Sequence, residues 1–114
     1  MIDKEGLLKE GKARTMYAKT TVFQFHPSAA EEGTRIIRDI MIPSARKQHG
    51  FMGAIMLKHD NKPDHYLVVS IWETEAALLA SSPPEELLPL LEPLEELIAE
   101  YDQDTGNVLL FIHN

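Results

Sequence analysis

The segment HDNKPDH concentrates side chains that could bind a metal ion. Its two imidazoles and two carboxylates, from His59, Asp60, Asp64 and His65, are ligand types that divalent metals accept. The Asn, Pro and Asp residues between them are typical of a turn, and a hairpin turn would splay the four side chains apart. No neighbouring residue is placed to orient them, so the sequence predicts a turn and no metal site.

The segment YLVVSIWETEAAL, residues 66–78, carries the only tryptophan of the chain. Its strand portion is apolar or aromatic on both faces, with Tyr66, Val68 and Trp72 on one face and Leu67, Val69 and Ile71 on the other. At the end of a strand, Trp72 either lines a ligand pocket or seals the core. Tyr66 either offers its hydroxyl to a ligand or exposes it to water at the sheet edge.

Other motifs that carry chemistry are missing from the sequence. The chain has no cysteine, and it has no Gly-rich phosphate loop, nucleophile elbow or dinucleotide fingerprint. Kinase, hydrolase and dehydrogenase functions therefore have no sequence support. Arg46 could bind an anionic ligand, or it could pair with nearby backbone carbonyls or with an acid of the second half of the chain.

Six elements must position these residues. Alternating β-branched, aromatic and apolar runs predict strands near 15–26, 51–58, 65–73 and 105–113. A first helix is predicted from Ser28 and Glu31, in capping-box spacing, to Gly50, with Pro43 bending it or restarting its last turn. A short helix is predicted at 75–81, and a main one begins between 84 and 93 and ends near Tyr101.

The order strand, helix, strand, strand, helix, strand predicts an α+β, ferredoxin-like domain over residues 15–114, preceded by an N-terminal extension over residues 1–14. Its four-stranded antiparallel sheet carries both helices on one face. The other face remains apolar at Leu67, Val69 and Ile71, and at Leu109 and Phe111 of the predicted last strand. A second copy of the sheet is the simplest cover, so a homodimer is expected.

Charge is distributed unevenly along the chain. Residues 1–62 hold all eleven Lys and Arg and seven acids, for a net +4, whereas residues 63–114 hold eleven acids and neither Lys nor Arg, for a net −11. An acidic half and scattered basic residues argue against nucleic acid and anionic membranes as partners. No apolar run is long enough to span a bilayer and the N-terminus lacks the pattern of a secretory signal, so a cytoplasmic protein is expected.

Three stretches together resemble the antibiotic biosynthesis monooxygenase family of the dimeric α+β barrel superfamily. They are FQFHPSAAEEG, MIPSARKQHGFMGAIML and VVSIWETEAAL, and the resemblance runs from Tyr17 to Ile112. It implies a homodimer with an apolar pocket in each subunit, and oxidation of small aromatic, polyketide-like or quinol-like substrates without metal or flavin. Trp72 matches the family tryptophan that shapes this pocket, and Tyr66, Thr21 and Phe23 are the expected neighbours around the ligand.

The sequence also departs from the family pattern. Some oxygenating members have an asparagine four residues before the tryptophan, where this chain has Val68. Haem-degrading relatives use an asparagine on the first strand, where this chain has Thr21, and a histidine on the second helix, where it has none. These departures disfavour haem degradation. They leave two hypotheses, a cofactor-independent monooxygenase and a non-catalytic dimer that binds a small ligand.

Overall fold

A computed structural model describes residues 16–112 and shows the predicted ferredoxin-like fold. The strands are β1 (Tyr17–Phe25), β2 (Phe51–Lys58), β3 (His65–Trp72) and β4 (Ile98–Asn107). They form one sheet in the order β2-β3-β1-β4, with every neighbouring pair antiparallel. No helix within residues 16–112 combines the length and the apolar character that crossing a membrane would require.

Three helical regions cover one face of the sheet. Helix α1 runs without interruption through an α-helical segment Ala30–Ile36, a π-helical segment Ile37–Met41 and a second α-helical segment Ile42–Arg46. Helix α2 is Glu75–Ala80, and helix α3 is Leu88–Leu97, preceded by a 3₁₀ turn at Glu85–Leu87. The buried side chains of the strands, including Phe23, Phe25 and Trp72, point toward these helices.

Pro43 explains the change of helical type within α1. Proline has no N–H to donate to the carbonyl four residues earlier, and its ring crowds that carbonyl, so a regular α-helix cannot continue through it. The wider π-helical turns end at Met41, immediately before the segment that carries Pro43 in its first turn. Pro43 therefore begins a second α-helical segment within one continuous helix.

Both predicted boundaries of the first helix are wrong. Ala29 is the N-cap and no side chain caps the helix, because Ser28 has a φ of 69° and belongs to the preceding turn instead of forming a capping box. At the other end, α1 stops at Arg46, and Gly50 lies in the turn that leads into β2. Its φ of 84° requires glycine, and a Cβ there would lie 2.5 Å from that of Ala77.

The last strand lies closer to the N-terminus than the sequence pattern predicts. Strand β4 begins at Ile98 and ends at Asn107, so α3 stops before Tyr101, and only residues 105–107 of the predicted strand 105–113 are in the sheet. Residues 108–112 have no regular structure, and residue 113 lies outside the described residues. Leu109 and Phe111 therefore do not lie on the open face of a strand, which corrects that prediction.

The face of the sheet away from the helices is apolar across its first three strands. Its side chains pair across the strands as Ile55 with Val69, Leu57 with Leu67, and Val22 with Leu67, and Ile71 lies beside Ala18. Val22, Ile55 and Leu57 are each about half exposed. On β4 the same face turns acidic, because Asp102 pairs with Val22 and Asp104 pairs with Thr20. We call this side the open face.

A glycine-to-alanine exchange at Gly33 should destabilise the domain. A Cβ at Gly33 would overlap the ring of Phe25, which is fully buried and cannot move aside. We expect Gly33→Ala to lower the free energy of unfolding by about 2 kcal/mol in urea titrations followed by circular dichroism. Gly106→Ala is the matched control, because no atom beyond the residue itself and its two chain neighbours lies within 4 Å of the added Cβ there. Equal stability of the two variants would contradict the close approach of α1 to β1.

Candidate functional site

A cavity of about 770 Å³ lies between the sheet and the helices. Its floor is formed by all four strands, and its roof is formed by α1 from Ile37 onward, by Leu78 of α2 and by α3. The volume suits a small organic molecule of two or three fused rings. The roof is open enough to expose Glu95 of α3, whereas Ile37 and Leu78 are buried.

The floor of the cavity carries rows of polar and aromatic side chains that run across the strands. Because the strands are antiparallel, residues of β3, β1 and β4 form rows across the sheet, namely Ser70, Lys19 and Thr105, then Val68, Thr21 and Gln103, then Tyr66, Phe23 and Tyr101. The first row is polar, the second is mixed and the third is aromatic, although Thr105 and Tyr66 complete their rows without lining the cavity. The ring of Trp72 lies beyond the first row, so the polar groups of the floor lie between aromatic side chains.

Trp72 forms one wall of the cavity, next to Ser70. Its side chain is 3% exposed, and its ring meets that of Phe51 edge to face, with centroids 5.3 Å apart and an interplanar angle of 79°. Its Nε1 donates a hydrogen bond to Ser70 Oγ at 3.1 Å, which fixes the plane of the indole. Trp72 therefore combines both roles considered from the sequence, since it is packed and also lines the cavity.

Three of the four residues expected around a ligand lie together. Trp72, Thr21 and Phe23 all line the cavity, whereas Tyr66 does not. Tyr66 is stacked on Phe23 with centroids 5.7 Å apart, and it meets Phe25 at 5.1 Å, so it supports the floor from within the core. Contact of these residues with a ligand stays a prediction.

The structure adds polar groups that sequence reasoning missed. Gln103 donates to Thr21 Oγ1 at 3.4 Å across β1 and β4, and Lys19 and Glu95 supply the cation and the carboxylate of the lining. Ser44, in the roof, is buried, and its hydroxyl has no hydrogen-bond partner within the described residues. Gln103 could not be predicted as a lining residue because the sequence pattern places β4 elsewhere. Lys19 could be predicted, because it lies on the same face of β1 as Thr21 and Phe23.

The two histidine rings of HDNKPDH contact backbone groups of the turn itself. Nδ1 of His59 accepts from the backbone N–H of Asn61 at 3.1 Å, and Nδ1 of His65 lies 2.8 Å from the carbonyl of Pro63. Asp64 adopts a φ of 62° and its carbonyl accepts from the N–H of Phe25 at 2.9 Å. Across residues 16–112, no three His, Asp or Glu side chains are grouped so that they could hold a metal ion.

The arginines of α1 are directed to the exterior. Arg35 forms two hydrogen bonds with Glu32, and Arg38 forms two with Asp39. These bonds lower the pKa of each carboxyl and raise the pKa of each guanidinium, although all four groups are exposed to water. Arg46 does not line the cavity. None of the three arginines therefore supplies positive charge to the site.

Comparison with known proteins identifies relatives of the same fold. The sequence profile described as antibiotic biosynthesis monooxygenase matches residues 16–84. The chain is 28% identical over 75 residues to the uncharacterized protein Rv2558 of Mycobacterium tuberculosis, and to the uncharacterized protein MT2635 of another strain of that species. The match takes in 66% of this chain and 31% of each relative, so the chain spans about a third of the length of these relatives.

Solved structures extend the comparison to the three-dimensional fold. SnoaB, a cofactor-independent oxygenase from Streptomyces nogalater, superposes with a TM-score of 0.67 at 19% identity, over 87% of this chain and 98% of SnoaB. PA3566 from Pseudomonas aeruginosa superposes with a TM-score of 0.71 at 20% identity, over 86% of this chain and 98% of PA3566. At these identities the similarity establishes a shared fold.

Truncation of the tryptophan should weaken the wall of the cavity without abolishing the fold. We expect Trp72→Ala to lower the free energy of unfolding by about 3 kcal/mol, because the buried ring contacts Phe51 on one side and borders the cavity on the other. Trp72→Phe should lose less, since an aromatic contact remains. Urea unfolding followed by far-ultraviolet circular dichroism measures both variants. A loss below about 1 kcal/mol for Trp72→Ala would contradict its packed position.

Proposed function

Because this chain belongs to the antibiotic biosynthesis monooxygenase family, we propose that it is a cofactor-independent monooxygenase of a small aromatic substrate of the polyketide or quinol type. The observation that carries the proposal is the cavity of about 770 Å³, whose lining combines polar groups with aromatic rings. A flat, hydroxylated ring system matches this combination. The description of SnoaB as a cofactor-independent oxygenase is consistent with this chemistry on the same fold.

The proposed reaction uses the substrate as the source of electrons. Once its phenolic hydroxyl is ionised, an electron-rich ring can pass an electron to O₂, and recombination of the two radicals forms a C–O bond. Loss of water then leaves a quinone, so one oxygen atom of O₂ enters the substrate and the other leaves as water. The protein contributes a dry site, a fixed orientation of the ring and an acceptor for the proton.

Particular residues fit these three contributions. Phe23 and Trp72 provide flat apolar surfaces for the ring, and the linked pair of Thr21 and Gln103 provides polar contacts for its oxygen substituents. Glu95 is the carboxylate of the cavity lining and is accessible to water, so it is our candidate for the proton acceptor. It stands on α3, and its carboxylate can pass the proton on to solvent.

One observation favours a second candidate function, a non-catalytic protein that binds a small aromatic molecule. Val68 lies in the middle of the floor, where some oxygenating relatives carry an asparagine, and valine cannot bind an oxygen-derived anion. A cavity that keeps its shape but lacks this amide could hold a ligand without oxidising it. Measurements of binding and of oxygen consumption separate the two functions.

We further propose that the protein is a homodimer joined through the open face. Val22, Ile55, Leu57, Leu67, Val69 and Ile71 form an apolar surface that a second copy of the same surface would cover about a twofold axis. Asp102 and Asp104 would lie at the border of that contact, where water can reach them. The open face has an apolar centre and a charged border, which is the usual arrangement of an interface between subunits. We therefore propose a second copy of this chain as the partner.

The fluorescence of the single tryptophan should report binding, and the consumption of dissolved oxygen should report oxidation. We expect hydroxylated naphthalenes and anthracenes to quench Trp72 fluorescence in titrations, and the same compounds to support protein-dependent oxygen uptake in buffer treated with a chelator. Glu95→Gln should slow oxygen uptake about 100-fold while leaving quenching in place. Glu96→Gln, which alters the adjacent carboxylate outside the lining, is the control.

Each outcome of that experiment decides between the candidates. Quenching without oxygen uptake across the panel would support the ligand-binding protein and contradict the monooxygenase. Equal activity of Glu95→Gln and wild type would exclude Glu95 as the proton acceptor. The absence of quenching by every compound would contradict both functions.

A charge at the centre of the open face should separate the dimer. Val69 lies between Thr20 and Ile55 in the register, so Val69→Glu would bury a carboxylate without a partner in the contact. We expect wild type to sediment as a dimer at micromolar concentration and Val69→Glu to sediment as a monomer. Leu79→Glu is the matched control, because Leu79 is 75% exposed on α2 and should leave the dimer intact. A monomeric wild type would contradict the proposed association.

A further inference from the structure

Lys19 occupies an unusual position for a lysine. It lies on β1, a central strand of the sheet, and its side chain is on the face that the helices cover, where it is only partly exposed. Lysine seldom occupies such a position unless a partner compensates its charge. Within residues 16–112, no carboxylate forms an ion pair with it, and its neighbours across the strands are the hydroxyl residues Ser70 and Thr105.

Ser44 occupies the roof of the same cavity and is also without a partner. A buried serine within a helix commonly bonds to the carbonyl four residues earlier, but the π-helical segment Ile37–Met41 changes the geometry just before Ser44. Its hydroxyl is enclosed and has no hydrogen-bond partner in the described chain, and the residue, which is 7% exposed, borders the cavity. Buried polar atoms are rarely left unpaired, so this one points to a partner from outside the chain.

Lys19 without an ion pair and the Ser44 hydroxyl without a hydrogen bond are two polar groups that a ligand in the cavity would satisfy. We infer that Lys19 binds the anionic oxygen of an aromatic ligand and that the Ser44 hydroxyl forms a second hydrogen bond to the same ligand, so that the cavity selects ionised phenols over neutral aromatic molecules. This inference rests on the proposed function, because it requires that the cavity bind an aromatic molecule. It goes further by assigning the choice of charge state to two residues.

Other charged and titratable groups limit which anions fit. Glu95 of α3 and Tyr101 of β4 also line the cavity, and Lys19 is the basic residue of that lining. A single positive charge opposite a carboxylate favours a ligand with one negative charge, because a second one would be repelled by Glu95. Arg35 and Arg38 are already paired with Glu32 and Asp39 on the exterior of α1. The ligand is therefore a monoanion with a flat ring system.

Binding of this kind also changes the ligand. A positive charge beside a phenolate stabilises the ionised form, so the bound phenol has a lower pKa than the free phenol. A tenfold preference for the anion corresponds to a pKa lowered by about 1, by thermodynamic linkage. Because the anion is the form that can pass an electron to oxygen, Lys19 would prepare the substrate as well as hold it.

The test compares 7-hydroxycoumarin, whose ionised form has its own absorption band, with 7-methoxycoumarin, which cannot ionise. Quenching of Trp72 fluorescence gives the affinity for each compound, and a spectrophotometric pH titration gives the pKa of the bound phenol. We expect wild type to bind the ionised hydroxycoumarin about tenfold more tightly than the methoxy compound, and to lower the pKa of the bound phenol by about 1.

Variants then assign this preference to residues. Lys19→Met should lose the tenfold preference and keep the affinity for 7-methoxycoumarin, and Lys19→Arg should retain most of the preference. Lys58→Met removes a strand lysine outside the cavity and should match wild type. Ser44→Ala should weaken the binding of the hydroxycoumarin several-fold without lowering the free energy of unfolding, because the unpartnered hydroxyl contributes no bond within the described chain.

The results separate this inference from the proposed function. Binding of both coumarins with equal affinity, or a bound phenol whose pKa equals or exceeds that of the free phenol, would overturn the role of Lys19 and leave the cavity as an aromatic site. The pKa measurement needs only wild-type protein, so it decides the matter even if Lys19→Met fails to fold. Binding of neither coumarin would overturn both the inference and the aromatic site on which it rests.

Discussion

The burial of Phe25 beneath Gly33 is the contact on which the rest of the domain depends. Phe25 ends the central strand, and its ring leaves room for α1 only because residue 33 has no side chain. The backbone N–H of Phe25 bonds to Asp64 in the hairpin turn, and that of His26 bonds to Leu97 at the end of α3, both at 2.9 Å. The end of β1 therefore contacts α1, α3 and the hairpin turn in one small region of the domain.

The cavity lies beneath the other part of α1, away from the contact between Gly33 and Phe25. Gly33 holds α1 against the sheet at one end, whereas the part of α1 from Ile37 onward forms a roof over the polar rows of the floor. Between the two ends the helix changes to π-helical turns, which the proline at position 43 accounts for. Close packing at one end therefore depends on Gly33, and the change of helical type above the cavity depends on Pro43.

Much of the fold could be predicted from the apolar residues of the strands, and the errors have physical causes. Residues 51–58 and 65–72 are apolar runs on either side of a turn, which fixes both strands, and the apolar open face followed from Leu67, Val69 and Ile71. Strand β4 was misplaced because its pairing with β1 uses polar residues such as Asp102 and Gln103, whose local preference does not favour a strand. The apolar run after Asn107 has the pattern expected of a strand but lies outside the sheet.

Part of the site could also be predicted from the sequence. Trp72, Thr21 and Phe23 lie on one face of two predicted strands, so they could be placed together. Ser44 and Glu95 could not, because their positions depend on how the helices lie above the sheet.

The acidic side chains of β4 have a consequence for growth of the sheet by addition of further strands. An edge strand offers unpaired N–H and C=O groups to any extended segment, and chains with bare edges tend to form fibrils. Strand β4 is an edge of the sheet and carries three acidic residues, Glu100, Asp102 and Asp104, within five consecutive residues, so two such edges repel each other. Pairing of β4 with an apolar edge such as β2 would require the carboxylates to lose bound water. The negative charges along this edge therefore oppose polymerisation of the chain edge to edge, and dissolved salt, which screens exposed charges, weakens that protection.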